Sequence, residues 1–412
     1  MATTTQYNPN EILDRRLFSA GASKTIYALV TPEIEAAKRA ILGNSLIEYL
    51  PYAVRKLVAL ASFRLNSMLF ADRVRADYFD QFRDAWTKKQ DRVHRAFFDT
   101  WHEWSKPLVD LDREQFKFFY PTGGASEPLK HIIYDYGNIA RVKLEKAISA
   151  NDFAAARNAI PKIHIFKGEY EGYKAYAEAA QITVVEHDRG DWKQVAETLP
   201  ENEWFFLSQP SAIDGNVWHE GNEFLRLISS KSSTPRVIMD MTYVGAIAKA
   251  PAEKFAVSEP CVRNVVFSLS KPFGVYYDRI GGVFSREQDL GLFGNIWFKG
   301  LFGLMLGTEL MKRHDVFDLP RKYHSIQSER AFETGKNLGM KLKPSDVYIM
   351  AIASETADAD PQLAAYLHRP GLDKTSLARV CLTKGMAETI GTAGPTRRLA
   401  ARSAPLLRRE EA

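Results

Sequence analysis

The chain has 412 residues, enough for two hydrophobic cores or for one large domain with a smaller one attached. Its composition, 45% hydrophobic and 25% charged, is ordinary for a soluble globular protein, and a net charge of +5 is too small to indicate nucleic-acid binding. Only Cys261 and Cys381 are present, which excludes a disulfide framework and favours a reducing cytoplasm. The N-terminus lacks the apolar core of a signal peptide, and the most apolar window, 291–311, contains Lys299 and Glu309, so we expect no membrane span.

The N-terminal quarter of the chain is predicted to be mostly helical. Residues 1–52 are expected to form an N-terminal arm and part of a small domain. Residues 53–115 contain no glycine, and apolar residues recur at spacings of three and four, which predicts an insertion of amphipathic helices. The tryptophan-rich end of this insertion, 101–105, either covers a substrate entrance or anchors the helices to the protein body, and the anchoring role is favoured.

Short apolar segments follow, separated by helical stretches, and predict a large domain over residues 116–310. Its strands are expected at 116–120, 163–166, 182–186, 204–207, 234–241, 263–267 and 281–284. A smaller C-terminal domain is expected over 311–391, with a strand at 377–382. The remaining residues, 392–412, are rich in arginine and small residues and are predicted to be a mobile tail.

The strand that ends at Phe267 delivers Ser268, Ser270 and Lys271 to a turn. A lysine in a partly apolar site can have its pKa lowered, and the neutral amine then attacks carbonyl groups to form a Schiff base. Taken alone, however, a run of four residues is explained better by a solvated lysine at a strand end.

Together with Arg279, eight residues further on, this run resembles the S-x-S-K motif of the aspartate-aminotransferase superfamily of pyridoxal-phosphate enzymes (fold type I). The resemblance covers roughly residues 115–385. It implies an α/β fold: a mostly parallel, seven-stranded sheet between helices, a smaller α+β domain built from both chain ends, and the helical insertion. It also implies pyridoxal 5'-phosphate as cofactor. Lys271 would bind the cofactor covalently, and Arg279, with Ser268 and Ser270, would hold its phosphate.

A glycine turn after the first strand opens a long helical stretch, with Gly124, Ala125 and Ser126 at its start. Glycine lets the backbone approach an anion closely, and a helix N-terminus favours negative charge. In the family a similar run cradles the cofactor phosphate. Tyr170 matches the aromatic residue whose ring lies against the pyridine face, although a core tyrosine is the alternative.

Asp240 near the end of its strand and Tyr243 three residues on match the family's partners of the pyridine nitrogen and the phenolic oxygen. The loop after residue 207 departs from the family pattern, because Ala212 stands where an asparagine usually donates to the phenolic oxygen. The sequence leaves open whether Gln209 or Asn216 replaces that donor.

Arg379, in the predicted C-terminal strand, matches the arginine that binds the substrate carboxylate, since a guanidinium forms two parallel hydrogen bonds with a carboxylate. His314 and His324 lack metal-ligand spacing, so no metal is expected. The family's dimers suggest a homodimer, in which Tyr49 or Tyr52 could reach the neighbouring active site, although aromatic packing is the favoured explanation for both. Residues 291–307 would then lie near the interface.

The resemblance implies an enzyme that acts at the α-carbon of a free L-α-amino acid. Transamination is the default reaction, because a carboxylate held by Arg379 favours breaking the C–H bond, and decarboxylation is less favoured. The alternatives are elimination, β- or γ-replacement and cyclisation in a specialised, natural-product pathway. A regulator without catalysis is the third reading, but no helix-turn-helix segment accompanies the site. We expect neither nucleic acid nor membrane as a partner.

Overall fold

The computed structural model describes residues 10–42, 92–296, 300–353, 359–370 and 376–393. The N-terminal helices are α1 (Asn10–Ser19), α2 (Pro32–Leu42) and α3 (Arg92–Ser105). The first strand, β1 (Phe118–Thr122), is followed by α4 (Ser126–Ser149), α5 (Phe153–Asn158), β2 (Lys162–Phe166), α6 (Glu171–Ala179) and β3 (Thr183–His187). Next come α7 (Trp192–Thr198), β4 (Trp204–Ser208), α8 (Gly221–Lys231), β5 (Val237–Asp240) and β6 (Val262–Ser268).

The remaining elements complete the large sheet and build a small one. They are α9 (Ser270–Phe273), β7 (Gly281–Ser285), α10 (Leu301–Arg313), α11 (Asp318–Leu338), β8 (Lys343–Pro344), β9 (Met350–Ala353), α12 (Pro361–Leu367), β10 (His368–Pro370), β11 (Ser376–Cys381) and α13 (Thr383–Ala393). None of the described helices is both long and apolar enough to span a membrane.

Seven of these strands form one sheet in the order β1-β7-β6-β5-β4-β2-β3. Only β7 runs against its neighbours, and the other pairings are parallel. The central strands β5 and β6 are buried along their whole length, as expected for a parallel sheet covered by helices on both faces. The carboxyl ends of β2, β4, β5 and β6 therefore meet at one edge, where α/β folds bind their ligands.

The second sheet is antiparallel, in the order β10-β11-β9-β8. It receives the N-terminal segment through a β-bridge between Ser23 and Cys381, in which the Cys381 N–H donates to the Ser23 carbonyl at 2.8 Å. Both chain ends thus contribute to the smaller unit, as the sequence resemblance implied. This bridge also brings residues 24–26 against the large sheet.

Helix α3, the described end of the predicted insertion, is anchored by aromatic packing. Trp101 is 1% exposed and stacks on Phe267 with ring centroids 4.2 Å apart, while Phe98 meets Phe284 edge-on at 4.9 Å. Trp104 donates its indole N–H to the His314 carbonyl at 2.9 Å. Such rings contribute about 0.5–1.5 kcal/mol per pair beyond their buried area. The earlier part of the insertion, 53–91, lies outside the described residues.

Two strand predictions are wrong by two or more residues at one or both ends, while the bounds of the other predicted strands agree to within one residue. Strand β1 begins two residues later than predicted and continues through Pro121, which is tolerated because β1 is an edge strand and needs no donor on its outer side. Strand β5 is shorter than predicted, because Pro235 lacks the N–H that a central strand requires.

Candidate active site

One cavity of about 460 Å³ lies at the carboxyl ends of the parallel strands and reaches the small sheet. It is lined by every residue that the sequence predicts for the site except Gly124: Ala125, Ser126, Tyr170, Asp240, Tyr243, Ser268, Ser270, Lys271, Arg279 and Arg379. Gly124 lies directly behind this lining, because a β-carbon there would be 3.1 Å from Nη2 of Arg279. Residues far apart in the sequence therefore share one chamber.

Lys271 lies in the short helix α9, immediately after strand β6, and is only 9% exposed. Its Nζ donates to the main-chain carbonyl of Ile26 at 2.6 Å, so the N-terminal segment lies directly over the amine. Burial, together with the charges of Arg379 and Arg279, lowers the pKa of Lys271 to about 8 against an opposing effect of Cys381. The site therefore favours the neutral amine more than water does.

Asp240 ends strand β5 and is held by three donors. Its Oδ2 accepts from the Tyr173 hydroxyl at 2.8 Å, and its Oδ1 accepts from the Thr242 N–H at 3.0 Å and from the Thr242 hydroxyl. Burial raises the pKa of Asp240, while the bonds from Thr242 and Tyr173 favour its ionised form. These donors fix a carboxylate that faces the cavity.

Tyr173 and Thr242 are site residues that the sequence analysis missed. Thr242 lies two residues after Asp240, a spacing at which a threonine often bonds a carboxylate, and this signal could have identified it. Tyr173 lies 67 residues before Asp240, and no local pattern connects the two.

An anion cradle is formed by Gly124, the start of α4 and Arg279. Gly124 has φ of +80°, which glycine adopts without strain, and α4 begins without a side-chain cap, so the positive end of its dipole faces the glycine turn. Arg279 has φ of +50°, an uncommon conformation for a residue with a side chain. Among the described residues it has no acidic partner. Such a site suits a phosphate.

The other residues predicted to bind the cofactor lie around this cradle. Ser268 donates to Ser270 at 3.1 Å, which holds both hydroxyls at the cavity wall. Tyr170 is at the N-terminus of α6, with its hydroxyl 3.4 Å from that of Ser126. Tyr243 is 7% exposed, and burial raises the pKa of its hydroxyl, so it is a neutral donor.

Ala212 lines the cavity at the position where the family pattern has an asparagine. Gln209 bonds both main-chain groups of Trp218, at 2.8 and 3.0 Å. Asn216 accepts from the Asp346 N–H at 3.0 Å, and neither amide lines the cavity. Neither amide is therefore placed at the cavity wall to replace the missing donor.

The buried carboxylate of Glu169 holds the loop that follows strand β4. Glu169 accepts from the Ser208 hydroxyl at 2.6 Å and from the Ser208 N–H at 3.2 Å, and Ser208 Oγ in turn accepts from the Ala212 N–H at 2.6 Å. On the other side, Arg189 forms a buried ion pair with Asp214 at 2.7 Å. The main chain at residue 212 is thus fixed from two directions.

Arg379 extends from strand β11 and is 5% exposed. Its Nη1 donates to the Ala212 carbonyl, while its Nε has no partner among the described residues. Burial and the neighbouring Arg369 lower the pKa of Arg379 to about 10, although Tyr243 and Glu171 oppose this, and the group remains charged at neutral pH. A buried cation with an unused N–H is suited to an anionic ligand.

Tyr49 and Tyr52, the candidates for contact with a neighbouring subunit, lie outside the described residues. So does part of the 291–307 segment.

A seven-stranded sheet with one reversed strand, a small antiparallel sheet and a cavity between them define the aspartate-aminotransferase fold, fold type I. No family model and no curated protein matches the sequence. Among solved structures, an aminotransferase from Mycobacterium tuberculosis matches at a TM-score of 0.54, with 15% identity over 95% of this chain and 96% of its own.

Two further solved structures have the same fold. The histidinol-phosphate aminotransferase of Clostridium acetobutylicum covers 76% of this chain and 94% of its own, with 14% identity and a TM-score of 0.51. A Thermus thermophilus aspartate aminotransferase mutant covers 76% and 90%, with 13% identity and a TM-score of 0.52. The fold class implied by the sequence resemblance is confirmed.

Proposed function

We propose that this protein is a pyridoxal-phosphate-dependent enzyme that acts at the α-carbon of a free L-α-amino acid, by transamination. The observation that carries the proposal is that Lys271 and Asp240 line one cavity from the ends of adjacent parallel strands, β6 and β5. The anion cradle and Arg379 line the same cavity.

The residues present fit pyridoxal 5'-phosphate. The glycine at 124 leaves room beside Arg279 that a side chain would fill, and this cradle suits the phosphate, with Ser126, Ser268 and Ser270 nearby. Asp240 would pair with the ring nitrogen, Tyr243 would donate to the phenolic oxygen, and Tyr170 would lie against the ring. Lys271 supplies the buried amine for covalent attachment. When bound, the cofactor supplies an aldehyde that joins amines and a conjugated ring that accepts electrons.

Three side chains would then share the chemistry. Lys271 would anchor the cofactor and would take and return a proton at the substrate α-carbon. Asp240 would hold a proton on the ring nitrogen. Arg379 binds the carboxylate through two parallel hydrogen bonds and thereby orients the α-carbon, so that the C–H bond rather than the bond to the carboxylate is the one that breaks.

A second candidate is elimination, β- or γ-replacement or cyclisation, which begins with the same proton removal. Ala212 favours it, since neither Gln209 nor Asn216 restores the donor that transaminating relatives use at the phenolic oxygen. The hypothesis of a non-catalytic regulator is less well supported, because the buried amine of Lys271 and the buried carboxylate of Asp240 line the same cavity.

The test is to load the protein with pyridoxal phosphate, add L-amino acids with a keto-acid acceptor, and identify products by mass spectrometry. A keto acid derived from the amino acid supports transamination. Ammonia with a deaminated product, a replaced side chain or a cyclised product supports the second candidate. If no amino acid is consumed and the absorbance of the bound cofactor stays unchanged, the proposal is rejected.

The homodimer and the cytoplasmic location stay predictions. The first is checked by analytical ultracentrifugation, in which a monomer at micromolar concentration would contradict it.

A further inference from the structure

The half of the cavity nearer the small sheet carries more positive than negative charge. Its charged lining consists of Lys24, Glu171, Arg369 and Arg379. Arg369 is already occupied, because it forms an ion pair with Glu171 and donates to the Gly168 carbonyl at 2.7 Å. Lys24 and Arg379 therefore remain as two positive charges without an acidic partner among the described residues.

The position of Lys24 is set by a strand pairing in the small sheet. It follows Ser23, which forms the β-bridge to Cys381, two residues beyond Arg379 on strand β11. Its half-buried ammonium lies over the ring of Tyr366, 3.9 Å from the centroid, and has no hydrogen bond or ion pair among the described residues. A cation held on an aromatic face still has donors to offer a ligand.

The neighbouring cations disfavour the charged form of Lys24 when no anionic ligand is bound. Burial and the charges of Arg369 and Arg379 lower the pKa of Lys24, against the opposing charges of Glu171 and Asp14. An α-carboxylate on Arg379 would neutralise one of the two unpaired charges. The charge of Lys24 would remain.

We propose that the substrate carries a second anionic group, a carboxylate or a phosphate on its side chain, and that Lys24 binds it. This inference rests on the proposed function, since it describes the side chain of the same amino acid. Lys24 is then a specificity-determining residue. A neutral isostere of the substrate would leave the ammonium facing the cavity without its partner, and sites of this kind discriminate strongly against such analogues.

The experiment compares amino acids that have nearly the same shape and differ in charge. The protein loaded with pyridoxal phosphate is given L-aspartate or L-asparagine, L-glutamate or L-glutamine, and O-phospho-L-serine or L-serine, and kcat/KM is measured for each. We expect the anionic member of at least one pair to be preferred by at least about tenfold. The carboxylate and phosphate pairs distinguish the two anion types.

Variants assign that preference to Lys24. Lys24→Gln should reduce the ratio within the preferred pair to about threefold or less, with little change for the neutral member. Lys24→Arg should retain the preference. Lys231→Gln, which removes the same charge at the exposed end of α8, should leave the ratio unchanged. An unchanged cofactor absorbance and circular dichroism spectrum would show that Lys24→Gln is folded.

Two results overturn the inference while the proposed function stands: neutral members that react as well as anionic ones, or a ratio that Lys24→Gln leaves intact. If no amino acid reacts or perturbs the cofactor absorbance, the proposed function fails and this inference fails with it.

Discussion

The guanidinium of Arg379 donates a hydrogen bond to the main-chain carbonyl of Ala212. This bond joins a strand of the small sheet to the loop that follows strand β4 of the large sheet. Because Ala212 is itself held through Ser208 by the buried Glu169, the proposed carboxylate-binding group is positioned from the large sheet. Substrate binding and the shape of the loop are therefore expected to be coupled.

Replacing Arg379 with alanine should raise KM for α-amino acids by about two orders of magnitude, with a smaller effect on kcat, because a charged, two-point carboxylate contact is lost. Arg379→Lys should recover only part of the affinity, since an ammonium cannot form the parallel pair of hydrogen bonds. Steady-state kinetics on the cofactor-loaded variants measures both. If amines without a carboxylate are the better substrates of the wild type, this role of Arg379 is wrong.

Asp240→Asn should keep most of the affinity for pyridoxal phosphate but reduce turnover by about 10²–10⁴-fold, because an amide cannot hold the proton on the ring nitrogen. Its shape is conserved, so Tyr173 and Thr242 can still contact residue 240. Cofactor affinity is measured by absorbance titration and turnover by product formation. Near-normal turnover in this variant would reject the pairing with the ring nitrogen.

Ala212→Asn should lower the pH midpoint at which the visible absorbance of the bound cofactor changes. A new donor to the phenolic oxygen stabilises its negative charge and so weakens its hold on the neighbouring proton at Lys271. Ala212→Val adds similar bulk without a donor and serves as the control. An equal shift in both variants, or no shift with asparagine, would contradict the assignment of residue 212.

Glu169 should make the stability of the ligand-free protein depend on pH. Burial raises the pKa of Glu169 to about 7 from its ordinary value of 4.5, although Ser208 opposes this. The folded state therefore binds more protons than the unfolded state between these pH values, and its stability falls as the pH rises through that window. Above pH 7 the free energy of unfolding is lowered by the full amount, about 3 kcal/mol at 1.36 kcal/mol per pH unit.

Glu169→Gln removes this titration but also one of the two acceptors for Ser208. Urea unfolding of both proteins at a series of pH values isolates the effect, because other groups titrate equally in each. The stability of the variant relative to wild type should improve as the pH rises from 4.5 to 7. A difference that is flat across this window would show that Glu169 does not titrate there.

Much of the site could be predicted from the sequence because its main residues follow strands in short, ordered motifs. Lys271, Asp240 and Arg379 each lie at or in an apolar strand, and the shared edge of a parallel sheet then brings the first two together. Glu169 and Tyr173 could not be found in this way. Their partners lie 39 and 67 residues away, and a hydrogen bond between distant side chains produces no periodic pattern in the sequence.

The position of Lys24 depends on a pairing between chain ends, Ser23 with Cys381, that local propensity does not encode. The bounds of β1 were wrong for a related reason: whether a strand tolerates Pro121 depends on its place at the sheet edge. Tertiary context decided each of these features.

The central claim, that Lys271 is the residue that binds pyridoxal phosphate covalently, has a direct test. The protein is loaded with the cofactor, reduced with borohydride to trap the attachment, digested and examined by mass spectrometry. We expect the pyridoxyl group on Lys271, and neither this label nor the visible absorbance band in Lys271→Ala. A label on Lys24, which lines the same cavity, or the absence of any labelled lysine would contradict the account.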